Sequence, residues 1–102
     1  MDRRTEVRFG ANQTVSIAVN GQAGPGITGK IAGASRSGLR VLVDGPIEIN
    51  SPVRVQWDTG ALVGAVRHCR PVRPSGYSIG IRITEVLQQS KLRTNQLESA
   101  AL

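Results

Sequence analysis

The chain is 102 residues long, is 39% apolar and carries 13 Lys and Arg against 7 Asp and Glu, a net charge of +6. That composition suits one small domain with a single modest core and an anionic partner. A lone cysteine, Cys69, excludes an internal disulfide framework and a thiolate-rich metal centre, and no apolar run approaches the ~18 residues of a membrane-spanning helix.

The first dozen residues read as an arm, poor in apolar side chains and closed by Gly10-Ala11-Asn12. No apolar stretch follows its basic start to make a secretory signal, so the cytoplasm is the expected compartment. Residues 14–19 then alternate, with Val15, Ile17 and Val19 on one face, the pattern of a half-buried strand. Asn20-Gly21 begins a turn, and a Gly- and Pro-containing loop leads to a second strand over 27–32. After a small-residue turn at 33–38, Leu39, Val41 and Val43 share a face with Arg40 and Leu42 opposite. Asp44-Gly45-Pro46 breaks that strand, and Ile47-Glu48-Ile49 reads as a short extension or as the rim of a barrel.

Val53, Val55 and Trp57 alternate with Arg54, Gln56 and Asp58, the clearest strand in the chain. Asp58-Thr59-Gly60 turns into a fifth strand at 61–69, and Tyr77, Ile79, Ile81 and Ile83 mark a sixth. Six short strands separated by turn signals predict an antiparallel barrel or sandwich. The tail, residues 84–102, has neither glycine nor proline and is rich in helix formers. Thr84 suits an N-cap and Glu85 the first turn, so a C-terminal α-helix is expected there.

Two stretches carry the candidate chemistry. In the first, Arg3-Arg4-Thr5-Glu6-Val7-Arg8, two guanidiniums four residues apart can clamp an anion or stack on bases. The second is Gly33-Ala34-Ser35-Arg36-Ser37-Gly38. Here Gly38 can take a positive φ or let another group approach the backbone. Ser35 and Ser37 donate and accept, and Arg36 can reach phosphate. The 11 Arg against 2 Lys favour bidentate recognition of phosphate or guanine over a diffuse lysine cloud.

In this order and strand context the two stretches resemble the PilZ domain family, the bacterial receptor module for cyclic di-GMP. Its signature is RxxxR followed by (D/N)xSxxG. Arg4 and Arg8 match the first motif, and Ser35 and Gly38 match the second. Gly33 stands where the family has Asp or Asn. The resemblance runs from about Arg3 to Ile83 and includes the late Gly-Tyr-Ser-Ile-Gly-Ile-Arg-Ile segment.

The resemblance implies an all-β, six-stranded antiparallel β-barrel over 13–83, with an arm at 1–12 and a helix at 84–102. It implies that Arg4 and Arg8 hold phosphate and guanine, and that Ser35 and Gly38 shape the opposite wall. Arg3, Arg36 and the backbone at Gly33 are expected as auxiliary contacts. Gly33 loses the side chain that in the family reads the guanine edge, a hydrogen bond worth roughly 1.5–3 kcal/mol. The resemblance implies a signalling receptor rather than an enzyme, with cyclic di-GMP as ligand, no cofactor or metal, and a downstream protein partner.

Other readings stand beside it. A degenerate PilZ domain would not bind the nucleotide and would act as a protein-interaction module. The basic run Arg67, His68, Cys69, Arg70 and Arg73 suits nucleic acid by charge. Phe9, Trp57 and Tyr77 are the only aromatics, so stacking platforms are scarce. The run otherwise reads as solvated barrel edge, a partner site or a contact for the ligand's second guanine. His68 and Cys69 are neighbours on a strand and point to opposite faces, which opposes a catalytic dyad. Trp57 is read as core.

Overall fold

The computed structural model describes Phe9 and residues 12–21 and 26–89. Six strands form a closed barrel: β1 (Thr14–Val19), β2 (Ile27–Ala34), β3 (Gly38–Val43), β4 (Pro52–Trp57), β5 (Gly60–Pro71) and β6 (Tyr77–Gln89). Every pairing is antiparallel, and the order around the barrel is β1-β2-β3-β6-β5-β4. This is the predicted six-stranded barrel, and no helix occurs among the described residues.

Alternation builds the core. Val15 and Ile17, Leu39, Val41 and Val43, Val53, Val55 and Trp57, and Ile79 and Ile81 all point inward from their strands. The interior is β-branched, as the scarcity of aromatics requires. Gly29 faces inward too, where a Cβ would press on the Val41 and Val43 methyls, so this glycine answers to close packing. Trp57 is core, as expected; its Nε1 is buried and has no hydrogen-bond partner among the described residues. Its ring meets Phe9 at a centroid distance of 4.8 Å and an interplanar angle of 57°, a favourable tilted arrangement.

The segment between β3 and β4 crosses from one side of the barrel to the other and supplies a plug. Ile47 is buried, whereas Ile49 is exposed, so this stretch is rim rather than strand. It is tied down by Asn50 N–H to Val66 O at 2.8 Å and Val66 N–H to Ser51 O at 3.0 Å.

One expectation is corrected. Residues 84–89 continue β6 instead of starting a helix, and the rest of the expected helix, residues 90–102, lies outside the described residues. The cause is a pair of bulges. Ile83 pairs with Gly64 and Glu85 with Val63, leaving Thr84 as an extra residue. Val86 pairs with Leu62 and Gln88 with Ala61, leaving Leu87 as another. Each extra residue breaks the two-residue alternation, so Ile83, Val86 and Leu87 acquire the three-to-four spacing of a helix face. Thr84 does not cap a helix; its Oγ1 donates to Val63 O at 3.1 Å across the ladder.

Candidate functional site

The turn between β2 and β3 is short because Ser35 and Gly38 pair directly. Ser35 N–H donates to Gly38 O at 2.9 Å, and Ser35 Oγ reaches the same carbonyl at 3.5 Å. Arg36 and Ser37 form the exposed tip, and Ser37 O accepts from Ile83 N–H at 2.9 Å, which ties the tip to β6. Gly38 does not use a positive φ. A Cβ there would sit 3.2 Å from Ile81 O, so its role is close approach of β3 to β6.

Registry then lays out the outer face. Gly33 of β2 stands opposite Arg40 of β3, Arg40 opposite Gly80 of β6, and Gly80 opposite His68 of β5. These four residues form one cross-strand row, with two glycines as its low points. Arg40 leans toward Gly33: a methyl group on Gly33 would lie 3.6 Å from Arg40 Nη2 and 3.7 Å from Nε. The His68 ring lies over Gly80, in space that a Cβ would need, and buries it. The next row sets Gly38 opposite Arg82 and Arg82 opposite Ala65.

The result is a groove of about 540 Å³ on the outside of β2, β3, β6 and β5. Ser35, Ser37 and Gly38 bound it at the turn, and Arg40, Arg67, Arg82 and His68 line its walls. Arg67 reaches it through a bulge. Val66 pairs with Ile81 and His68 with Gly80, so Arg67 is the extra residue on β5. Among the described residues the lining contains no Asp, Glu, Asn or Gln. Three guanidiniums lining one groove, with no carboxylate among the described residues there, can hold an anion, preferably one with planar, hydrogen-bond-accepting edges.

Of the sequence-predicted residues, Gly33, Ser35 and Gly38 come together here. Arg36 sits at the exposed turn tip and does not line the groove. Arg3, Arg4 and Arg8 lie outside the described residues. Phe9, next in the chain after Arg8, is packed on Trp57 at the barrel end where β2 hands over to β3. At this end Ile31 N–H donates to Gln13 O at 2.9 Å, holding the entry to β1 beside the last turn of chain before Ser35.

Sequence reasoning did not single out Arg40 and Arg82. Their alternation with Leu39, Val41, Ile81 and Ile83 puts them on the outer face, but their meeting depends on β3 pairing with β6. The basic run at 67–73 is divided. Arg67 and His68 enter the groove, Cys69 is half-buried against the core, and Arg73 borders a separate hollow of about 390 Å³ beside Lys30, Leu42 and Asp44. His68 and Cys69 therefore do face apart. No cluster of three or more His, Cys, Asp or Glu that could hold a metal ion occurs among the described residues, and no helix there is long and apolar enough to cross a membrane.

A small closed barrel with a cationic groove beside a Ser-x-x-Gly turn has the make-up of a module able to hold an anionic ligand. The family comparison makes it specific: the PilZ domain model matches residues 2–97, nearly the whole chain, and the chain belongs to the PilZ family. No curated protein and no solved structure matches it.

Proposed function

We infer that this chain is a cytoplasmic receptor for cyclic di-GMP that works by binding and not by catalysis. The ligand is held between the arm bearing Arg3, Arg4 and Arg8 and the groove beside Ser35 and Gly38. The supporting observation is that groove: three arginines and a histidine with no acid among the described lining residues, at the turn carrying the family's second motif and at the barrel end where Phe9 packs on Trp57. Two phosphates and two guanines require several cations and donors, and Arg40, Arg67 and Arg82 add to the motif pair. Ligand would draw the arm onto the barrel and change the surface offered to a downstream partner.

The glycine at position 33 favours a second reading, a PilZ domain that does not bind the nucleotide and serves as an interaction module. Isothermal titration with cyclic di-GMP separates the two. The receptor reading expects saturable heat from the wild type and its loss in the Arg4→Ala/Arg8→Ala double variant, with the circular dichroism of the barrel unchanged. Absence of heat from a folded wild type at high micromolar ligand would assign the chain to the second reading, and full affinity in the double variant would remove the arm from the site.

A further inference from the structure

We propose that Arg40 is the base-reading residue of the groove, and that it selects purines by their 6-oxo edge without reading the 2-amino group. The inference rests on the cyclic di-GMP reading above and specifies which part of the base the groove recognises.

The donor set carries the argument. Guanine presents O6 and N7 as acceptors on one edge and the N1 and N2 hydrogens as donors on another. A hydroxyl or a main-chain carbonyl can accept singly from the second edge, but the strong match to it is a carboxylate or, after that, a carboxamide oxygen. The described lining has neither: its basic side chains are Arg40, Arg67, Arg82 and His68. A guanidinium has five N–H donors and no acceptor. The strongest interactions the groove can offer a base are therefore donations to O6 and N7, or to phosphate.

Arg40 is placed for this work and Gly33 is what exposes it. Arg40 stands between glycines on both neighbouring strands, so neither Gly33 nor Gly80 puts a side chain over it. A side chain at Gly33 would fit in ordinary contact with the guanidinium. An acid there would lie within reach of Arg40 and neutralise it. The glycine thus leaves a free donor fork where an acidic residue would have created an internal ion pair. Adenine, with N7 as acceptor but N6 as donor, mismatches that fork.

The test is competition binding to the full chain with cyclic di-GMP, its cyclic di-inosine analogue, which lacks only the two 2-amino groups, and cyclic di-AMP. The wild type should bind the first two within about threefold of each other. It should bind cyclic di-AMP about tenfold or more weakly, the scale of one mismatched bidentate contact. Arg40→Ala should weaken the guanine and inosine ligands and close their gap to cyclic di-AMP. Arg40→Lys keeps the charge but loses the planar fork, so it should also close the gap while retaining more affinity. A preference for cyclic di-GMP over the inosine analogue of tenfold or more would overturn the proposal, as would an unchanged gap in Arg40→Ala; either leaves the receptor reading standing. Binding of none of the three ligands overturns both.

Discussion

The two sides of the barrel are built differently. Around β1 and β4 the ladders run without interruption: β1 with β2, β1 with β4 and β4 with β5 keep one register throughout. On the other side two of the three ladders are interrupted, and only β3 with β6 keeps one register. The β5–β6 ladder shifts register three times, and β2–β3 shifts once between Ile31 and Gly33. The groove lies on this second side, and two of its lining residues owe their place to a shift: Gly33 follows the extra residue Ala32, and Arg67 is itself extra. Regular pairing repeats one inward and one outward residue, which suffices for a core. A bulge turns an additional side chain outward and bends the strand, and here that adds Arg67 to the Arg40 and Arg82 that the regular β3–β6 ladder already sets on this face.

Substitutions can test whether the bulged side also bears its share of stability. The largest effect is expected from Leu62, fully buried and paired with Val86 between two bulges. Leu62→Ala should lower unfolding free energy by about 2–5 kcal/mol, measured by urea denaturation. A cost under about 1 kcal/mol would mean that the regular side holds the fold alone. Gly64→Ala comes next. A Cβ there would run into the carbonyl of Arg82, so a loss of about 1–3 kcal/mol is expected from overpacking against backbone. The smallest effect sharpens the comparison most. Val86 packs against the core and Leu87, the extra residue, is exposed. Val86→Ser should cost about 1 kcal/mol, part of the value of a fully buried valine, whereas Leu87→Ser should change stability by less than about 0.5 kcal/mol. Equal costs at 86 and 87 would contradict the bulged strand.

The same contrast explains what could be read from the sequence. Val53, Val55 and Trp57 announced β4 because nothing interrupts their alternation, and Val15 and Ile17 did the same for β1. The Ser35–Gly38 turn was legible as well, since its residues are close together in the chain. Thr84 and Leu87 were not, because two extra residues in one strand imitate helical spacing. Nor was the meeting of Arg40 with His68 across Gly80. It requires the pairing of β3 with β6 and of β6 with β5, and register between distant segments is set by the packed barrel, not by local pattern. Gly33 was visible as a departure from the family motif, but its neighbour in space, Arg40, supplies the physical meaning.

Closure of β1 onto β4 has a consequence for communication with other molecules. Where the six strands pair all the way round, no row of main-chain N–H and C=O groups is left for an incoming strand. Recruitment by strand addition, in which a partner extends the sheet and main-chain hydrogen bonds supply affinity, has no purchase there. Over that closed wall, recognition of another molecule falls to the side chains on the outer faces and turns, while β6 beyond Arg82 pairs with β5 alone among the described strands. The wall's vocabulary is written in residue identity, so a partner can be gained or lost by point substitution without altering the barrel.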